Sequence, residues 1–536
     1  MDAVEPGGDL TQPKLGFVGW LRWIWRQLTS MRTALFLLLL LAVAAIPGSL
    51  VPQTSADPNG VAQYKIDHPE LYPILKSLQV FDTYTSVWFS AIYLLLFISL
   101  IGCVIPRTKH HLDALRAKPP RTPVRLNRMA GFQATTMGSA LSLTEVIEKA
   151  RRILKGSGYR VVTFERDGEA SVSAERGYLR ETGNLVFHVA LLGVLLAVGV
   201  GGGFGFTGQR VVTTGQTFVN TLVNYDSFSP GRFVNTAALT PYSVTLNSLD
   251  VRYEDSNANA IGLPLDYTAH VTTKNADGAI AQRTIKVNEP LAIGGTNIYL
   301  LGNGYAPKIT VRNPAGDIVF QDSVPFLPQD TNLTSLGVVK VPDGLKKQLG
   351  MIGFFYPTAQ KLSSGALASS YPALRKPVLT LQVFSGDLGF NNGAAVSVYT
   401  LDTDKLTKLN GPGTKQAAIQ LTPGATEQLP GGLGTVTLDS VERFASLDVH
   451  HDPTQTWVLV FAILILGGLL TSLFVPRRRM WVKAIAQPDG ALRIEYAGLA
   501  RGDDPGLDAA VDALAAKHRA LITTHIPSNQ SVGLPS

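Results

Sequence analysis

The sequence predicts a multi-pass α-helical membrane protein with four transmembrane helices, a large β-rich, sandwich-like extracytoplasmic domain and small cytoplasmic α/β segments. Three observations carry this. Four apolar stretches, at residues 33–51, 87–105, 185–204 and 457–475, contain no Lys, Arg, Asp or Glu. A helix of about 20 residues rising about 1.5 Å each covers the roughly 30 Å hydrocarbon core, so each is long enough to span it. Between the third and fourth, residues 205–456 form a polar segment of short alternating runs and turn signals. Lysine and arginine crowd some flanks of the spans and avoid others.

The N-terminal segment, 1–32, holds Lys14, Arg22, Arg26 and Arg32, with Trp20, Trp23 and Trp25 approaching the first span. This long aromatic lead reads as an anchor that is retained, not as a cleaved signal peptide. The loop 52–86 carries only Lys65 and Lys76, whereas 106–184 opens with Arg107, Lys109, Arg116, Lys118, Arg121, Arg125 and Arg128 and ends with Arg176 and Arg180 near the third span. Arg477, Arg478, Arg479 and Lys483 open the tail, 476–536. The positive-inside rule then places both termini and 106–184 in the cytoplasm, and 52–86 and 205–456 outside, in the cell membrane.

The formal charge of +7 is a topology signal. Residues 206–454 carry 18 basic and 19 acidic side chains, so the excess lies beside the spans, where it meets anionic lipid. No groove-reading element accompanies it, which argues against nucleic acid as a partner. The single cysteine, Cys103, excludes both an internal disulfide and a Cys-x-x-Cys redox pair. About 250 residues suffice for the outer segment to build a core without disulfides.

Within 106–184, Ser142-Leu143-Thr144-Glu145 reads as a capping box opening a helix to about Lys155, with Val146, Ala150 and Ile153 on one face. Runs at 159–165 and 171–175 form a hairpin around Asp167-Gly168. The tail repeats the pattern: 481–486 and 491–497 flank Pro488-Asp489-Gly490, a helix covers 507–522, and 526–536 reads as a disordered end. The two segments can pair into one small α/β unit. In the outer segment, 308–311 and 317–320 bracket Asn313-Pro314-Ala315-Gly316, with further strands at 267–272, 378–384 and 435–438. Residues 342–349 read as a short helix. Short strands at this spacing suggest one or two sandwich-like sheets.

His188 is the one histidine placed in a span, and an ionisable residue in a span is a functional candidate. Its alternatives at this level are a functional ligand and an interfacial histidine bonding a helix carbonyl or a headgroup. His110 and His111 fall in the basic flank, His518 and His525 in the tail, His68 in the first outer loop, and His270 on the polar face of its strand. His450 and His451, just before the fourth span, form a secondary candidate site. The glycine run 199–205 lacks the lysine and preceding strand of a phosphate loop and reads as a flexible exit from the bilayer; Gly431, Gly432 and Gly434 read as a strand turn. Neither a Gly-x-Ser-x-Gly elbow nor a His-Glu-x-x-His zinc signature occurs, so hydrolase chemistry has no support.

Several motifs together resemble the ResB family of cytochrome c maturation proteins, called CcsB in some bacteria. Ser30-Met31-Arg32-Thr33 and residues 48–53 bracket the first span. Phe81-Asp82, Ser86, Trp88-Phe89, Ser99-Leu100, Cys103 and Pro106-Arg107 follow. The most specific motif is Glu175-Arg176-Gly177-Tyr178-Leu179-Arg180-Glu181-Thr182-Gly183-Asn184-Leu185-Val186-Phe187-His188. Asn288-Glu289-Pro290-Leu291, Gly294-Gly295, Tyr299-Leu300, Gly302, Asp452-Pro453, 467–479 and Trp481 continue it in the same order.

The resemblance implies a subunit of the haem-ligating complex of cytochrome c maturation, non-catalytic on its own. It would help transport or present haem for thioether attachment to the Cys-x-x-Cys-His motif of apocytochrome c. The implied partners are a multi-span haem-handling protein of the ResC/CcsA type, apocytochrome c, and a thioredoxin-like thiol reductant with its membrane electron donor. The implied cofactor is haem b, held transiently and shared with the partner. His188 is the implied axial ligand to haem iron, with no other metal and no catalytic residue. The competing reading is a membrane-tethered extracytoplasmic assembly or binding domain with no cofactor.

Overall fold

A computed structural model describes residues 16–138, 141–390 and 399–523. His525, Lys14 and the expected disordered end at 526–536 lie outside the described residues. The helices are α1 (Phe17–Leu28), α2 (Met31–Leu50), α3 (Pro58–Asp67), α4 (Leu71–Ser77), α5 (Val87–Arg116), α6 (Leu143–Gly156), α7 (Leu179–Phe204), α8 (Gln455–Phe474) and α9 (Leu507–Thr523). Four of these segments are long and apolar enough to cross a membrane, carried by α2, α5, α7 and α8. The chain divides into two compact units, one of residues 1–51, 75–199 and 454–536, the other of residues 52–74 and 200–453.

In the first unit, polar groups and small residues hold the span helices together. Ser30 caps α2 by accepting the Thr33 N–H, and Ser86 caps α5 by accepting the Phe89 N–H. The turn between α1 and α2 is fastened to α5: Ser99 Oγ donates to Leu28 O at 2.6 Å and Cys103 Sγ to Thr29 O at 3.0 Å. Gly102 is required there, since a Cβ would lie 2.0 Å from Thr29 Cγ2. At the α7–α8 crossing, a Cβ on Gly183 would lie 2.7 Å from Gly468 O, and one on Gly468 equally close to Gly183 O. Such backbone contact between apolar helices needs small residues, because lipid gives them no hydrophobic reason to associate.

The same unit contains a five-stranded antiparallel sheet in the order Ala130–Met137, Leu492–Ala500, Arg478–Ala486, Glu169–Arg176, Arg160–Arg166. Its two inner halves pair directly, with Lys483 opposite Ser171 and Arg478 opposite Arg176, so the 106–184 segment and the tail do form one α/β unit. The capping box holds: Ser142 Oγ accepts the Glu145 N–H at 3.3 Å, and Glu145 Oε2 accepts the Ser142 N–H at 2.9 Å. Helices α6 and α9 bury Val146, Ile147, Ala150, Leu154, Val511 and Leu514 against Val172, Val482, Ile494 and Tyr496. His518 belongs to this core rather than to a solvated tail. Its Nε2–H donates to Val146 O at 2.8 Å, leaving Nδ1 to accept the Tyr496 hydroxyl at 2.9 Å.

In the second unit, two 17-residue strands, Thr296–Arg312 and Thr435–His451, run antiparallel from the Asn297–His450 pair to the Arg312–Thr435 pair. Each passes through two cores. At one end Ile298, Leu300, Leu447 and Val449 pack on the four-stranded sheet through Phe218, Leu246, Val271 and Ile285. At the other, Tyr305, Ile309, Val436 and Leu438 pack on the six-stranded sheet through Met351, Phe355, Leu381 and Val383. This is the expected β-rich domain, with two sandwich cores sharing one pair of strands.

Two expectations fail here. Residues 342–348 form bends between the strands Ser335–Val341 and Leu349–Tyr356, not a helix; Gly344 at φ +84° interrupts any helical run. The 199–205 run is not a loose exit either, since α7 stays helical to Phe204. The N–H groups of Gly231 and Phe233 take up the carbonyls of Gly205 and Gly203 as the helix ends, satisfying groups that helix termini leave unpaired.

Candidate functional site

The join between the small α/β sheet and the spans is set by Gly177. It adopts φ +92°, and a Cβ would stand 2.1 Å from Pro476 O, where the chain leaves α8 for the sheet. Only glycine fits both conditions. The contact brings Glu175 beside Arg477 and Arg479, about 300 residues later. Glu175 is 4% exposed. Its Oε1 accepts from Arg477 at 2.8 Å and Arg479 at 3.0 Å, and its Oε2 accepts the Tyr178 hydroxyl at 3.0 Å. Burial pushes the Glu175 carboxyl up, but the two guanidinium groups together outweigh it and hold the group below its ordinary range. Arg477 also pairs with Glu181, as does Arg501.

Next to this network is a cavity of about 570 Å³. Val104, Arg107 and His111 line it from α5, Arg180, Asn184 and His188 from α7, with Ser472 and Arg501 completing the wall. A second cavity of about 650 Å³ shares His110, Glu181 and Arg501 with it and extends to Lys118, Glu175 and Arg479. Both volumes are in the range of small-molecule and cofactor sites.

His188 is half-buried in α7. Its Nδ1–H donates to Asn184 O one turn back, at 2.7 Å, and its ring meets Phe187 edge-on at 5.1 Å. The hydrogen bond fixes the tautomer and leaves the Nε2 lone pair with no hydrogen bond among the described residues, the arrangement that orients an imidazole as a ligand. The helix carbonyl of the interfacial reading is therefore present, but it occupies only one of the two nitrogens.

His111 is also on this cavity, because α5 stays helical through His110 and His111 to Arg116 instead of ending in a loose flank. It is buried. Thr182 Oγ1 donates to Tyr178 O at 3.2 Å, so its lone pair accepts the His111 Nε2–H at 3.1 Å. His111 Nδ1 is left buried without a hydrogen-bond partner among the described residues, 3.9 Å from Glu181 Oε2. An orphaned buried nitrogen is costly, and a site of this kind suits a ligand that brings a donor or a positive centre. Sequence reasoning missed His111 and the Glu175–Arg477–Glu181–Arg501 chain. The adjacent His110-His111 pair was visible, but its partners become apparent only once α7 packs beside α5.

His450, His451 and His270 do not line either cavity. His450 Nε2 meets Asp448 Oδ2 at 2.7 Å, and this hydrogen bond raises its pKa against the opposing effect of partial burial. His451 donates through Nδ1 to Gly295 O at 2.8 Å and stacks on Phe206. Adjacent strand positions point these two to opposite faces. His270 is half-exposed beside Asp250 at 2.9 Å. Among the described residues no group of three or more His, Cys, Asp or Glu side chains could hold a metal ion.

The ResB-like family pattern matches residues 31–512. The chain is 26% identical over 279 residues to the cytochrome c biogenesis protein CcsB of Trichormus variabilis, covering 51% of this chain and 56% of that protein. It is 27% identical over 294 residues to CcsB of Picosynechococcus sp., covering 52% and 58%. With CcsB of Thermosynechococcus vestitus the identity is 25% over 316 residues, covering 57% and 64%. The chain thus spans between about half and two thirds of the length of these curated relatives. The family pattern runs from the first residue of α2 into α9, through all four span helices, the β domain and the Gly177 join. This chain belongs to the ResB-like family of membrane proteins.

Proposed function

We propose that this chain is a subunit of a membrane cytochrome c maturation complex that helps transport or present haem and apocytochrome c for thioether attachment outside the cytoplasm. His188 is the observation that carries the reading: an imidazole in a span, its tautomer fixed through Nδ1 and its Nε2 with no hydrogen bond among the described residues, on a cavity edged by arginines. Haem, when bound, supplies an iron centre that takes a nitrogen donor and vinyl groups that take the cysteine thiols of the apocytochrome. His188 would offer Nε2 to the iron, and Val104, Pro106 and Leu185 would give the ring an apolar wall. A further ligand would come from a multi-span partner of the ResC/CcsA type.

The lysine and arginine asymmetry supports cytoplasmic termini, a cytoplasmic α/β unit and an outer β domain. In that orientation the cavity is at the cytoplasmic end of the spans, the side from which haem enters. Cys103 is occupied by its bond to Thr29 O, and a lone thiol cannot cycle as a dithiol. The apocytochrome cysteines would therefore be kept reduced by a separate thioredoxin-like protein and its membrane electron donor.

The test is His188→Ala in cells whose cytochrome c depends on this chain, with covalent haem measured in the mature cytochrome. Loss of maturation at unchanged chain abundance is expected. Wild-type maturation would remove His188 from the account and favour an assembly domain without cofactor.

A further inference from the structure

The charges around the His188 cavity are unequally matched. Arg477 and Arg501 are both held by Glu181, and Arg477 also by Glu175. Arg107 and Arg180, on the same cavity as His188, form no ion pair among the described residues. The recorded contact of Arg107 is to Met31 Sδ at 3.3 Å, a weak acceptor, and that of Arg180 is to the backbone carbonyl of Arg501. Two guanidinium groups without an ion pair among the described residues thus share a cavity with the apolar side chains of Val104, Pro106 and Leu185. Arg107 is exposed and Arg180 partly buried, so both guanidinium groups are open to an incoming ligand, and one carrying the missing anions would give each a charge-assisted partner.

We infer that Arg107 and Arg180 are the anchoring site for the two carboxylates of an amphiphilic dicarboxylate whose apolar body extends toward His188. Resting on the reading of His188 as a haem ligand, this assigns Arg107 and Arg180 to the two propionates. The planar guanidinium fork pairs with a carboxylate through two parallel N–H···O bonds, which a lysine cannot reproduce. Arg107 reaches the cavity from α5 and Arg180 from the first turn of α7, so the carboxylates are held from two helices. The anchoring fixes which edge of the ligand faces the α/β unit, and with it which edge faces along the spans.

The experiment titrates the full chain in lipid nanodiscs with ferric haem and, separately, with its dimethyl ester, which keeps the ring and iron but has no carboxylate. Absorbance reports binding. Wild type is expected to bind the free acid at least about tenfold tighter than the ester, the factor for one charge-assisted contact of about 1.4 kcal/mol. R107Q/R180Q brings the acid down to the ester and leaves the ester where it was; R107K/R180K restores part of the difference. His188→Ala weakens both ligands. Equal affinity for acid and ester in wild type, or an equal loss of both in R107Q/R180Q, overturns the inference while leaving His188 as a ligand. Absence of any His188-dependent binding overturns the haem reading and the inference with it.

Discussion

Replacing Glu175 with glutamine tests whether the buried charge network joins the α/β unit to the spans. The glutamine keeps the shape and can still accept from Tyr178, but removes the carboxylate that binds Arg477 and Arg479. Arg479 is 36% exposed and can turn to water, so its share is small; Arg477 is 10% exposed and keeps Glu181 and its place over the Tyr178 ring. Breaking a buried pair by removing one partner costs about 3–5 kcal/mol; we take the low end, about 3 kcal/mol, because Arg477 retains one carboxylate. Hydrogen exchange over the strand Arg478–Ala486 reads this locally, and about 3 kcal/mol corresponds to roughly 150-fold faster exchange through opening. The pH dependence adds a sign. Because the folded carboxyl is held below its ordinary value of 4.5, its stabilisation is complete above that pH and is lost as pH falls through the lower folded value. The advantage of wild type over E175Q therefore holds at neutral pH and shrinks in acid. A change in exchange below twofold at pH 7 would refute the argument.

Gly177→Ala should lower the thermal stability of the purified chain by about 2 kcal/mol or more, from a strained φ and a collision with Pro476 O; an unchanged melting temperature would contradict that geometry. Cys103→Ser keeps a donor for Thr29 O and should support normal cytochrome c maturation, whereas Cys103→Ala loses about 1 kcal/mol of stability but no chemistry. Loss of maturation in the serine variant at normal abundance would implicate the thiol. Burial lowers the pKa of His518, with Lys149 adding to it and the Val146 carbonyl opposing. Protonation therefore favours the unfolded state, and the opening constant of α6 and α9, obtained from hydrogen exchange after division by the intrinsic rate, should rise as pH falls below about 6.5, an effect that His518→Gln abolishes.

The spans, the capping box and both hairpins of the α/β unit were legible because each is a local pattern: hydropathy over a fixed length, Ser142 with Glu145, Asp167-Gly168 and Asp489-Gly490 at the turns. The strand Ala130–Met137 was not, because it lacks alternation and is defined by pairing with Leu492–Ala500. The supposed helix at 342–349 failed for the reverse reason, since a few helix-forming residues cannot nucleate between two strands already committed to pairing. In the site, His188 stood out as an ionisable residue in an apolar run. Its neighbours did not, because Arg477 and Arg501 reach Glu181 only after the chain has crossed the whole β domain, and sequence spacing carries no record of that closure.

The most direct test of the central claim is the absorption spectrum of the chain purified with the proposed multi-span partner, recorded for wild type and His188→Ala and repeated with added imidazole. The account predicts a haem Soret band in the wild type that is lost or shifted in the variant and recovered by imidazole. Haem-free complex, or identical spectra for the two proteins, would contradict it.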